Sequence, residues 1–214
     1  MTEAKVIRRE PKDREVRASK FLNAEKAIGE LSPGMELFVL TYGQFSLIDT
    51  IGALLEKTGP ADMVLSIWTA GNTDTLELLR LNKAGSLRSA RLILDRSFIT
   101  RQPLRCRLVL DSFGLEAVRT WRGHGKFLVL RNEKWFLSIR TSMNLNTNPR
   151  LETLEISDDP ALGDFLWTIA DDLFREQEVG ILHGELPELE TVRFMDAVTV
   201  EAGTVRGLGK VVPG

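Results

Sequence analysis

Along most of the chain, short apolar runs alternate with stretches whose apolar residues recur at helical spacing. MELFVLT (35–41) predicts a buried strand, and SLIDTIGALLEKT (46–58) predicts a helix opened by a serine cap. DMVLSIWT (62–69) predicts a second strand, followed by a helix over roughly 73–84. SARLILD (89–95) predicts a third strand, and LRCRLVLDSFG (104–114) a helix closed by Gly114. Three further strands follow: AVRTW (117–121), KFLVL (126–130) and WFLSIR (135–140). The last two are joined by Arg131-Asn132-Glu133-Lys134, which predicts a hairpin turn. DDPALGDFLWTIADDLF (158–174) carries proline in its first turn and predicts the final helix. Strands alternating with helices and ending in a hairpin predict an α/β fold, a mixed β-sheet flanked by helices.

Both ends of the chain depart from this pattern. Residues 1–18 mix Lys5, Arg8, Arg9, Lys12, Arg14 and Arg17 with four acidic residues, as a solvated arm does. The alternative is a basic strap that touches phosphate or a partner subunit. A short helix is predicted over Ser19–Glu30, with Phe21, Leu22, Ala24 and Ile28 on its apolar side. Ser32-Pro33-Gly34 then makes a turn. From Arg175 onward the chain is glycine-rich and acidic, with one strand-like run, Val192–Val200. The division that results is an N-terminal basic arm with a short helix (1–30), one α/β domain (31–176) and a C-terminal tail or arm (177–214).

Composition narrows the function classes. At 214 residues, with 43% hydrophobic and 27% charged positions, the chain reads as an ordinary globular protein. A formal net charge of −2 excludes a globally basic nucleic-acid binder and leaves room for a local basic cleft. The single cysteine, Cys106, forms no intramolecular disulfide, and with two histidines no metal motif is expected. No apolar run approaches a membrane span and no signal peptide opens the sequence, so the expected address is the cytoplasm, without a membrane partner.

The candidate chemistry lies in His124-Gly125-Lys126 and, after the predicted hairpin, Thr141-Ser142-Met143-Asn144. Antiparallel pairing folds the start of one strand beside the end of its partner, so these polar side chains converge. Imidazole, ammonium, hydroxyl and carboxamide together suit a phosphodiester. The imidazole attacks phosphorus or moves a proton, while the ammonium and the amide neutralise and orient non-bridging oxygens. The scheme needs no cofactor and no metal.

These residues resemble the phospholipase D superfamily, whose signature is His-x-Lys-x4-Asp followed by Gly-Ser-x-Asn. His124 and Lys126 match its first half, Ser142 and Asn144 its second, and the likeness in strand and helix order spans residues 35–174. The resemblance implies a phospholipase D-like sandwich and a metal-independent phosphodiesterase. It also implies that Glu155, in RLETLEISDDP, accepts a hydrogen bond from the catalytic imidazole and fixes its tautomer. Three departures stand out: Arg131 replaces the motif aspartate, Thr141 replaces the glycine before the serine, and the hairpin is longer.

The family uses two motifs, one histidine as nucleophile and the other as acid for the leaving group, and this chain has one. His183-Gly184-Glu185 has glutamate where lysine is required and reads as a tail histidine. An active site is therefore expected at a two-fold homodimer interface, with His124 of both copies facing each other. Nucleic acid is the expected substrate, because no amphipathic basic helix is built for a bilayer surface. The alternatives are a catalytically degenerate protein that binds nucleic acid or serves in an assembly, as in phages, and an enzyme acting on phospholipid.

Further candidates for substrate binding are Tyr42 and Gln44 at the end of the first strand, Arg96 and Arg101 past the third, Arg122 beside His124, and Thr141. Trp121 is either core or a base-stacking platform. Trp68, Trp135, Trp167 and Cys106 read as packing residues.

Overall fold

The computed structural model describes residues 13–19 and 23–179. Eight strands form one mixed sheet in the order β1-β2-β8-β7-β6-β3-β4-β5. They are β1 (Glu15–Ser19), β2 (Glu36–Thr41), β3 (Ala61–Ile67), β4 (Leu87–Asp95), β5 (Val118–Trp121), β6 (Phe127–Arg131), β7 (Phe136–Thr141) and β8 (Glu152–Asp158). The helices are α1 (Ala24–Ile28), α2 (Leu47–Thr58), α3 (Asn72–Lys83), α4 (Ser97–Arg101), α5 (Pro103–Phe113) and α6 (Pro160–Glu176). The expected α/β class, a mixed sheet flanked by helices, is the one observed.

Local signals account for the main helices. Ser46 and Asp49 form a reciprocal cap at the start of α2, with the Ser46 amide donating to Asp49 Oδ2 at 2.8 Å. Asp159 accepts from the amides of Ala161 and Leu162, and Pro160 occupies the first turn of α6. Gly114 closes α5 with its amide on the Leu110 carbonyl at 2.8 Å.

Two apolar layers grip the sheet. Met63, Leu65 and Ile67 of β3, Leu128 and Leu130 of β6, and Leu154 and Ile156 of β8 share one core with residues of α1, α2, α3 and α5. Val64, Phe127 and Val129 face Trp167, Ile169, Ala170 and Leu173 of α6 in the other. Burial of each such side chain contributes about 1.5–3 kcal/mol. Among the described residues, no helix is long and apolar enough to cross a membrane.

Several elements differ from the sequence expectation. Residues 15–18, expected in a solvated arm, and Ser19, expected to open a helix, form an edge strand parallel to β2. Arg17 fastens it, donating from Nη1 to the Ala27 carbonyl at 3.0 Å. Main-chain pairing holds this strand, and EVRAS, though its polar and apolar residues alternate, is too short and too charged to signal it. The helix expected from Ser19 is shorter, beginning at Ala24 behind an Asn23 cap. Strand β8 was not expected at all, yet it pairs antiparallel with both β2 and β7. The short helix α4 was also unexpected. Gln177, assigned to the tail, is 5% exposed and belongs to the body. Its carboxamide pairs with the backbone of Thr120 at 2.8 and 3.0 Å, closing the open edge of β5. Residues 1–12, Phe21, Leu22, His183 and the run 192–200 lie outside the described residues.

One turn places the site loop and yields a stability prediction. Gly43, just past β2, has φ +81, and a Cβ there would meet Pro149 Cα at 2.6 Å and Arg150 N at 2.8 Å. Both obstacles are backbone, so the loop after β7 must shift to make room. Gly43→Ala should destabilise the protein by about 2 kcal/mol, from the left-handed torsion plus the clash. The test is the urea midpoint, and an unchanged midpoint would contradict this packing.

Candidate active site

Strand directions bring the polar residues to one edge. β2, β3, β4, β5 and β7 end there, while β6 and β8 begin there, as the parallel and antiparallel pairings require. The edge therefore gathers Tyr42 and Gln44 after β2, Trp68 after β3, Arg96 after β4, Arg122 after β5, His124 and Lys126 before β6, Thr141, Ser142 and Asn144 at and after β7, and Glu152 at the start of β8. This is where ligands of open α/β sheets gather.

The segment from Arg122 to Lys126 runs from β5 to β6, which are separated by β4 and β3. It crosses three strand spacings, about 14 Å. The crossing lays His124 over the end of β3, with its imidazole 5.3 Å from the Trp68 ring and tilted by 56°. Ser66 of β3 tethers the crossing, donating to the Gly125 carbonyl at 2.8 Å. Lys126 Nζ stands 3.4 Å from His124 Nδ1. An ammonium only donates, so the nitrogen facing it accepts and the proton of a neutral ring stays on Nε2. Burial pulls the Lys126 pKa below its ordinary value, and the nearby Glu152 carboxylate opposes that shift.

The second half of the motif is held from below. Thr141, opposite Lys126 at the end of the hairpin, donates from Oγ1 to the Thr153 carbonyl at 2.7 Å and accepts from the Met143 amide at 3.0 Å. Ser142 donates to Glu152 and accepts from the Thr153 amide at 2.9 Å. Asn144 accepts at Oδ1 from the amides of Trp68 (3.1 Å) and Thr69 (3.3 Å), which ties the loop to the end of β3. With its oxygen so engaged, the amide NH2 of Asn144 is the group left to donate to an anion.

Glu155 does not join this group. It pairs with Arg140, and both share the sheet face of Phe127. Lys126 and Thr141 belong to the opposite face, that of Leu154. Alternation along β8 decides this: Glu152 and Leu154 point one way, Thr153 and Glu155 the other. The carboxylate of the site is Glu152. Sequence reasoning missed it because β8 was not read as a strand, although Thr-Leu-Glu-Ile-Ser alternates in the required way. Arg131, at the far end of β6, likewise lies away from the site. Its guanidinium sits 4.0 Å over the Trp167 ring, which Arg91 also covers at 4.4 Å, so it packs α6 against the sheet.

The remaining candidates divide. Arg101 is close: its guanidinium lies 3.7 Å over the Trp68 ring, Nη2 donates to the Trp68 carbonyl at 3.2 Å and Nε to Ser97 Oγ at 2.9 Å. Gln44 accepts from the Tyr42 amide at 2.7 Å, closing the turn after β2, while the Tyr42 ring is 49% exposed beyond Glu152. Arg96, whose amide donates to the Trp121 carbonyl at 2.9 Å, and the exposed Arg122 stand at the ends of β4 and β5, farther along the edge. Trp68, read from sequence as packing, leaves the sheet after Ile67 half-exposed, and its place at a strand's carboxyl end was the available signal. Among the described residues, no group of three or more His, Cys, Asp or Glu side chains could hold a metal ion.

The chain is similar in fold to a phospholipase D family member. That structure, Nuc from Salmonella typhimurium, is 14% identical over 56% of this chain and 80% of its own, with a TM-score of 0.39. NucT from Helicobacter pylori is 13% identical over 65% of this chain and 96% of its own, with a TM-score of 0.46. No protein-family model and no curated protein matches the sequence. The chemistry is therefore read from the side chains of this chain.

Beneath the loop, Asp74 in the first turn of α3 is 4% exposed, and its Oδ2 has no partner among the described residues. Burial and then Asp49 raise its pKa above 3.8, against hydrogen bonds from Thr147. A raised carboxyl contributes stability that is full below the unfolded value and lost as pH rises through the folded one. Asp74→Asn does not titrate there. Its stability relative to wild type should climb from pH 3.8 upward and level off above the raised folded value. Urea midpoints of both proteins across that range provide the check, and a constant difference would contradict the shift.

Proposed function

We propose that the edge pocket binds a phosphodiester and that the protein is a metal-independent phosphodiesterase of the phospholipase D type, acting on nucleic acid. The observation that carries this reading is the convergence of His124, Lys126, Ser142 and Asn144 on one strand edge, with Lys126 Nζ 3.4 Å from the imidazole. Lys126 and the Asn144 amide would hold the non-bridging oxygens. For attack the imidazole would first carry its proton on Nδ1, turned away from Lys126. Nε2 would then bond to phosphorus as the bond to the leaving oxygen breaks, and His124 of the partner subunit would protonate that oxygen. Water activated by that second imidazole would then cleave the phosphohistidine. With a single motif per chain, the scheme requires a two-fold homodimer.

A second reading has its own support. Lys126 faces Nδ1, and no carboxylate contacts the imidazole among the described residues, so the favoured tautomer presents Nε2–H as a donor. That arrangement suits a phosphate-binding pocket without turnover, in a nucleic-acid-binding or assembly protein. Hydrolysis of bis(p-nitrophenyl) phosphate in excess EDTA separates the two. EDTA-resistant turnover by a dimer, abolished by His124→Ala, supports the enzyme. Absent turnover, with DNA affinity kept in His124→Ala and weakened in Lys126→Ala, supports the pocket. A strict monomer contradicts the two-histidine scheme. Binding to anionic vesicles in preference to DNA would favour a phospholipid substrate.

A further inference from the structure

Trp68 touches two charged or chargeable groups. The Arg101 guanidinium covers one contact at 3.7 Å from the ring centroid, and the His124 imidazole approaches at 5.3 Å, tilted by 56°. Arg101 is itself anchored: Nε donates to Ser97 Oγ at 2.9 Å, and Ser97 donates from its amide to Asp95 Oδ1 at 3.0 Å and from its hydroxyl to the same carboxylate. Asp95 is 8% exposed at the end of β4, a fixed point in the sheet. Main-chain anchors complete the hold, since the Trp68 carbonyl accepts from Arg101 at 3.2 Å and its amide donates to Asn144 at 3.1 Å. A continuous series of contacts thus runs from Asp95 through Ser97, Arg101 and Trp68 to His124.

His124 needs such support. It is exposed on a segment with no strand or helix of its own, and its side chain contacts Lys126 and Trp68. Lys126 engages one ring nitrogen at 3.4 Å, which limits the ring's position and leaves its tilt free. The indole supplies the missing restraint, because aromatic rings prefer defined offset or tilted arrangements at such separations.

We propose that Trp68 is a positioning residue for His124, held rigid by Arg101, and that it aims Nε2 at the phosphorus. The proposal rests on the phosphodiesterase reading above. It assigns Trp68 to the orientation of the imidazole and not to stacking of a substrate base.

The test combines a spectroscopic and a kinetic measurement on the full chain. An imidazole beside an indole has its C–H proton signals displaced by the ring current. The chain has two histidines, so His183→Gln assigns the His124 signals. In Trp68→Leu these signals should move to the positions of a free imidazole, and Trp68→Phe should keep part of the displacement. With bis(p-nitrophenyl) phosphate, Trp68→Leu should lower kcat by about 10- to 100-fold with KM unchanged, the cost of a misaimed reacting group. Trp68→Phe should recover most of that loss, and Arg101→Gln should fall between. Unchanged His124 signals in Trp68→Leu would overturn the proposal, as would a raised KM with kcat intact. Should wild type show no turnover at all, the phosphodiesterase reading fails while the proton signals still decide whether Trp68 orients the ring.

Discussion

His124→Ala should lower turnover of a phosphodiester by about a thousandfold or more, the span expected for loss of a positioned acid–base or nucleophilic group. A thousandfold corresponds to about 4 kcal/mol of transition-state stabilisation. In a symmetric dimer one substitution removes both imidazoles, so attack and leaving-group protonation are lost together. The fold should survive, because His124 is exposed and its tether, the Ser66 hydroxyl on the Gly125 carbonyl at 2.8 Å, does not involve the imidazole. An unchanged thermal midpoint alongside the lost activity is the expected pair of results. Retained activity would remove His124 from the chemistry. Lys126→Ala should behave differently, weakening phosphate binding as well as turnover, since it removes the ammonium beside Nδ1.

Replacing the two glutamates of β8 should give opposite results. Glu152→Gln should lower turnover by about 10- to 100-fold, a loss toward the low end of what one positioned charged group contributes. Its carboxylate accepts from Ser142 and opposes the burial-driven fall of the Lys126 pKa. With Gln at 152 that opposition is gone, so the ammonium loses its proton more readily and the alkaline fall in the variant's rate should begin at lower pH than in wild type. Glu155→Gln should leave turnover within about twofold, because its partner is Arg140 and exposed pairs of this kind contribute about 0–1 kcal/mol. Measuring kcat/KM against pH for both variants is decisive. A severe loss in Glu155→Gln with Glu152→Gln unaffected would contradict the strand register.

These two residues show how far the sequence could be read. Glu155 was chosen for its distance from Asn144, but distance along a chain does not say which face of a strand a residue occupies. Had residues 152–158 been read as a strand, alternation would have put Glu155 on the face opposite Glu152, and the register with β7 then places it away from Lys126. The same reasoning explains Arg131, whose motif position suggested a damaged site. It occupies the far end of β6, where its charge lies over Trp167.

The sequence by itself determined the α/β class, the helix-end signals at Ser46, Pro160 and Gly114, and the β6–β7 hairpin that sets Lys126 beside Thr141. It did so because capping, helical spacing and tight turns are local interactions. Only the tertiary structure decided the edge strand at 15–19, the insertion of β8 between β2 and β7, and the closure of β5 by Gln177. Each depends on hydrogen bonds to main chain far away in sequence, which leave little trace in a short segment. The stack of Arg101, Trp68 and His124 is of this second kind. It exists because the chain crosses two intervening strands between β5 and β6, and that strand order is a property of the whole sheet.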